Sequence, residues 1–245
     1  GETTMRKDTG MFEPGKRAPS IQAADFMQQG RDIELSEKAG AGYVLVDVRD
    51  GDFGPNLTMG VPVVKQLKKA TSLPRDVHLM IANPLEQLPG FLDAGADSVT
   101  VHAEALDADG LARAVAAIHA AGAKAAVSVK PRTAVGALAP VLADLDMVLV
   151  MSVEPGFSGQ SYIEGSEAKV ARIAEMARAV GASPLIQVDG GIGEVTAPIV
   201  AAAGADVLVC GNAVFAAEDP AAALAAVQAA AEEARLAALA VSKEA

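Results

Sequence analysis

Short runs that are apolar almost throughout alternate along this chain with longer, Ala-rich segments of helical period. The runs are Arg17–Ile21, Tyr43–Val48, Asp76–Met80, Ser98–Val101, Ala125–Val129, Met147–Met151, Leu185–Val188 and Val207–Cys210. They are rich in β-branched residues and mostly lack polar/apolar alternation, the pattern of strands covered on both faces. The intervening periodicity predicts helices over Ala24–Ala39, Pro84–Ala94, Leu111–Ala121, Ser166–Val180 and Val195–Ala203. Each stops at a glycine (Gly40, Gly95, Gly122, Gly181, Gly204), the residue that takes a left-handed helix cap without steric cost.

Strand and helix in strict alternation imply a parallel sheet, and eight βα units are what a closed (β/α)8 TIM barrel needs. An open doubly wound sheet is the alternative. Such a sheet usually offers a Gly-rich turn after its first strand. Here that place is taken by Ser20-Ile-Gln-Ala-Ala-Asp25. The predicted organisation is a flexible leader over residues 1–16, one α/β barrel over 17–241 and a short tail over 242–245. The last helix, from Pro220 to about Val241, is rich in Ala and suits packing on the barrel's outside or against another subunit.

Composition sharpens this picture. The chain has 245 residues, enough for one large core, and is 51% hydrophobic with 3% aromatics and no Trp. Ala, Val, Leu and Ile must therefore build the interior. A formal net charge of −11 argues against nucleic acid or an anionic membrane as partner, since both need a basic footprint. A small phosphorylated ligand remains compatible, because backbone N–H groups hold phosphate without net positive charge. One cysteine, Cys210, in an apolar run, predicts a buried structural thiol and excludes an intrachain disulfide. No apolar run approaches the roughly 18–20 residues of a membrane span, and a cytoplasmic protein is expected.

The polar residues gather at strand ends, where α/β barrels carry their active sites. In order these are Ser20, Asp47 with Arg49 and Asp50, His78, His102 with Glu104, Lys130, Ser152, Asp189 and Asn212. Inside a barrel such groups are costly unless they serve a site or have partners. Three Gly-bearing segments follow the late strands: Pro155-Gly-Phe-Ser-Gly-Gln160, Asp189-Gly-Gly191 and Gly211-Asn212. Loops there are the usual phosphate site of the fold. Asp47 and Asp189, on the second and seventh strands, should face each other across the mouth. Either Asp alone reads as a cap or turn residue. Opposed, the two can take a proton from one face of a carbon and return one to the other.

At this level of detail the chain resembles the ribulose-phosphate 3-epimerases from Ala18 to about Ala225. The matching motifs are Ala18-Pro-Ser-Ile21, Asp47-Val-x-Asp-Gly-x-Phe-x-Pro-Asn56, Asp76-Val-His-Leu-Met80, Val101-His-Ala-Glu104, Met151-Ser-Val-Glu-Pro-Gly-Phe157 and Val188-Asp-Gly-Gly191. The resemblance implies interconversion of D-ribulose 5-phosphate and D-xylulose 5-phosphate, with Asp47 and Asp189 as acid/base pair. It implies substrate contacts from Ser20 and His78, and a phosphate pocket of Gly156, Phe157, Ser158, Gly159, Gly190, Gly191, Gly211 and Asn212. It further implies a divalent metal (zinc, or manganese, iron or cobalt) on Asp47, His78 and Asp189, and a homo-oligomer. The family's fourth metal ligand, a His, is replaced by Leu45, and Arg49 stands where the family has a Met. Strand periodicity puts Leu45, Asp47 and Arg49 on one face. Three ligands still suffice for a catalytic zinc. Alternatively, the Arg49 guanidinium replaces the metal as electrostatic stabiliser, or turns outward to solvent. Two other functions stay open here. One is a sugar-phosphate barrel enzyme of different chemistry, a 3-epimerase on another ketose phosphate or a lyase or decarboxylase. The other is a non-catalytic sugar-phosphate binder.

Overall fold

The computed structural model of the chain describes residues 17–19, 29–38, 41–157 and 159–244. Eight strands form one sheet: β1 Arg17–Pro19, β2 Val44–Arg49, β3 Arg75–Met80, β4 Ser98–His102, β5 Lys124–Val129, β6 Met147–Met151, β7 Leu185–Asp189 and β8 Val207–Cys210. Their order is β1-β8-β7-β6-β5-β4-β3-β2, and all seven ladders are parallel. The two ends of that order, β1 and β2, lie against each other, so the curled sheet forms a TIM barrel. Around it run α1 Gln29–Lys38, α2 Val61–Ala70, α3 Pro84–Asp93, α4 Ala108–Ala120, α5 Ser166–Ala179, α6 Ala197–Ala202, α7 Asn212–Phe215 and α8 Pro220–Glu244.

Alternation along each strand separates two interiors. Val44, Val46 and Val48 of β2 face outward and join Val77, Leu79 and the helix side chains in the main core. Tyr43 and Leu45 face inward and pack with Val207 and Val209 of β8. Gln187 Nε2 donates to the Tyr43 hydroxyl there at 2.6 Å. Leu45, the residue at the missing ligand position, is thus a packed side chain of the barrel interior, fully buried. Cys210 is buried as expected.

The register sets the site. Asp47 is level with His78, and Met151 with Asp189, so the strand-end side chains emerge at one height. One crossover departs from the regular pattern. Between β5 and β6 the chain makes two 3-10 turns, Val135–Leu138 and Leu142–Asp144, in place of an α-helix. Pro131 and Pro140 lack the N–H a continuous helix would need, and Gly136 weakens the remainder. At the C-terminus α8 runs to Glu244, into the span set apart as a tail from the sequence. The leader over 1–16, Ser20, the predicted helix start at Ala24 and Ser158 lie outside the described residues. No helix among the described residues is long and apolar enough to cross a membrane.

Candidate active site

Asp47 is the second inward residue of β2 and is almost fully buried. The strand end is fixed by Thr58, whose hydroxyl donates to the Asp47 carbonyl at 2.7 Å and accepts from the Arg49 N–H at 3.0 Å. Asp189 closes β7. Its carbonyl accepts from the Ser152 N–H at 2.8 Å and lies 3.0 Å from the Ser152 hydroxyl, which tethers the ends of β6 and β7. Asp50 plays a different part. It accepts N–H bonds from Asp52, Phe53 and Ala82 and builds the turn after β2. These bonds offset its partial burial and leave its pKa below the ordinary range.

The opposed carboxylates meet as the strand count predicts. Burial, and then the Asp47 charge, push the Asp189 carboxyl well up, against the pull of His78 and Arg49. A carboxyl raised in this way opposite a second carboxylate is the arrangement an acid/base pair needs. Both line a cavity of about 240 Å³ with Arg49, Phe157, Gly159, Gly190, Gly191, Gly211 and Asn212. The structure thus brings together most residues of the expected pocket. Gly156 stands behind it, its carbonyl accepting from Arg49 Nη1. Gly190 and Gly191 are required here. With φ of 122°, a Cβ at Gly190 would sit 2.6 Å from Val153, and one at Gly191 (φ 63°) would collide with the Tyr162 backbone. These glycines let the chain turn with its N–H groups beside the cavity.

Arg49 does not reach outward. It is 7% exposed and spans from β2 to the loop after β6. Burial draws its pKa down while Asp47 and Asp189 support its charge. Its Nε has no protein hydrogen-bond partner among the described residues. His78 lies beneath the cavity and does not line it. Its Nδ1 is 3.0 Å from Asp47 Oδ1, and its Nε2 is 2.8 Å from His102 Nε2. Both ring nitrogens thus have a polar neighbour beneath the cavity.

One ligand atom each from Asp47, His78 and Asp189 lie within 4.8 Å of one another. An imidazole and two carboxylates on one point are a donor set that suits zinc or a similar divalent ion with an open position. The residues present fit such an ion without a fourth protein ligand.

Gln160 is a contributor that strand-end reasoning passed over. Its Nε2 donates to the carbonyls of Glu154 and Phe157 at 2.7 and 2.9 Å and braces the loop after β6. A loop amide carries no periodicity to reveal it. Lys130, another of the strand-end polar residues, has its Nζ 3.7 Å over the Phe53 ring and 3.4 Å from the Phe53 carbonyl.

Comparison with known proteins agrees with this geometry. The model of the ribulose-phosphate 3 epimerase family matches residues 16–215. The ribulose-phosphate 3-epimerase of Mycobacterium bovis is 48% identical over 212 residues, spanning 86% of this chain and 90% of that protein. The chloroplastic ribulose-5-phosphate-3-epimerase of Arabidopsis thaliana is 45% identical over 212 residues, 86% of this chain and 75% of that protein. Among solved structures, a 3-hexulose-6-phosphate synthase superposes with a TM-score of 0.60 at 26% identity, covering 87% of this chain and 98% of that one. The barrel, the facing aspartates and the glycine loops thus coincide with an extended sequence match, and the chain belongs to the ribulose-phosphate 3-epimerase family of isomerases.

Proposed function

We propose that Asp47 and Asp189 epimerise C3 of D-ribulose 5-phosphate, giving D-xylulose 5-phosphate. The observation that carries this reading is their opposition at the mouth of a glycine-walled cavity, with the Asp189 carboxyl pushed up by burial so that it can hold a proton. Asp47, as carboxylate, takes the C3 proton, and the C–H electron pair passes into a C2–C3 enediolate. Asp189 then delivers its proton to the opposite face of C3, and the return reaction exchanges the roles. N–H groups around Gly190, Gly191 and Gly211 would hold the phosphate. Arg49 would lend a fixed positive charge to the enediolate oxygen through its unpartnered Nε. Asp47, His78 and Asp189 would hold a divalent ion, zinc first, which when bound would stabilise the same negative charge.

The test is conversion of ribulose 5-phosphate together with deuterium uptake at C3 in heavy water. Asp47→Asn and Asp189→Asn should each lower kcat by at least about 10²-fold, the scale of acid/base loss. Turnover kept in both variants would sink the assignment. Chelator should remove most activity and zinc or manganese should restore it; full turnover in metal-free protein would remove the ion from the reading. The single, unpaired Cys210 suits a reducing compartment such as the cytoplasm. Exposed Leu236 and Leu239 on α8, and Val195 and Ile199 at α6, suit a homo-oligomer, which light scattering would reveal.

A further inference from the structure

Behind His78 runs a chain of contacts that the acid/base pair does not use. His78 Nε2 meets His102 Nε2 at 2.8 Å, and His102 Nδ1 meets Glu104 Oε2 at 2.9 Å. Both rings are fully buried and nearly parallel, 5.0 Å apart and 20° from coplanar. Glu104 is held from its other side. Its Oε1 accepts the Lys130 N–H at 2.7 Å, and Lys169 Nζ fixes that segment through the carbonyls of Lys130 and Thr133 at 2.7 and 2.6 Å.

Proton counting assigns directions along this chain. Glu104 is a carboxylate, so it accepts and His102 Nδ1 carries the hydrogen. A neutral His102 then offers a lone pair at Nε2. The short contact between the two rings needs one hydrogen, and it comes from His78 Nε2. A neutral His78 with its hydrogen on Nε2 has a lone pair on Nδ1, and Nδ1 faces Asp47 at 3.0 Å. With a divalent ion on that lone pair, as in the metal reading above, His78 is neutral and its one hydrogen sits on Nε2. Two neutral imidazoles between two carboxylates supply hydrogens for only two of the three contacts. The contact at Asp47 is the one the ion would take over.

We propose that Glu104 and His102 are positioning residues that hold His78 as the Nε2–H tautomer and aim its Nδ1 lone pair at the point shared by Asp47 and Asp189. The inference rests on the metal reading above and adds residues to it. Neither His102 nor Glu104 touches substrate or ion. A partner one shell out typically sets ligand orientation and shifts metal affinity by about 10–100-fold.

The test uses full-length protein loaded with zinc. Long-range ¹H–¹⁵N correlation should show the hydrogen of His78 on Nε2 and a metal-shifted Nδ1. Competition titration should show zinc bound at least about tenfold more weakly in Glu104→Gln and His102→Gln than in the parent. Circular dichroism and melting should confirm that the variants are folded. Glu104 is partly exposed, so Glu104→Gln is the variant expected to fold even if His102→Gln does not. The spectrum of the parent protein decides the tautomer whatever the variants do. Zinc binding by the parent with unchanged affinity in folded Glu104→Gln, or a hydrogen on Nδ1 of the loaded protein, overturns the positioning role and leaves the metal reading standing. Failure of the parent to bind zinc or manganese overturns both.

Discussion

Asp76 shows what a single buried carboxyl does to this molecule. It is fully buried on the inner face of β3, and burial lifts its pKa to about 6, with Ser98, His78 and Gln187 pulling the other way. In the unfolded chain it should titrate near the ordinary 3.8. Below about pH 4 both states are protonated and nothing is lost. Between about 4 and 6 the native state keeps a proton that the unfolded state has released, so stability falls as pH rises and levels off above 6. Asp76→Asn should therefore raise the melting temperature at pH 7.5 and change it little at pH 4. The two pK units correspond to at most about 3 kcal/mol. Melts at both pH values check this; an equal shift at each would contradict it. At this scale the sequence was informative wherever strand period fixes a direction. Asp47, His78 and Asp189 were legible because inward residues at strand ends have one place to go. Arg49 was not. Its acceptor is a backbone carbonyl 107 residues away, which leaves no trace in the order of side chains.

Among the elements, the strands follow the apolar runs closely, because both faces of a barrel strand are covered and the pattern has no other reading. Glycine stops located the helix ends for the same local reason. The crossover from β5 to β6 was less legible, since its Ala, Leu and Val content looks helical while Pro131, Gly136 and Pro140 divide it. The turn after β7 makes a prediction of its own. Gly191→Ala meets the Tyr162 backbone and strains a positive φ. It should raise KM for the sugar phosphate more than tenfold and lower the melting temperature by several degrees. Gly181→Ala, at φ 69° with open space around it, is the control. It should cost only about 1–2 kcal/mol of backbone strain and leave KM alone. Steady-state kinetics and melts on both variants separate site geometry from strain.

Taken as a whole, the barrel draws its site from strands far apart in the chain, so ligand and fold are thermodynamically linked. An ion held by β2, β3 and β7 binds the native state and not the open chain. Zinc at about 100 times its Kd should add about 2.7 kcal/mol. For a protein of this length that is a rise of about 5–10 °C in melting temperature. Differential scanning with and without zinc measures it, and Asp189→Asn should abolish the rise. The bridge from Arg49 to Gly156 crosses the same ring, and its acceptor belongs to the main chain. Side-chain exchanges away from Gln160 and the glycines leave that acceptor in place, so at those positions what the loop has to keep is its length. One residue inserted after Glu154 should displace the carbonyl from the guanidinium and cost more turnover than Phe157→Ala. Loop libraries on this scaffold should therefore hold spacing, Gly156, Gly159 and Gln160 fixed and vary the rest.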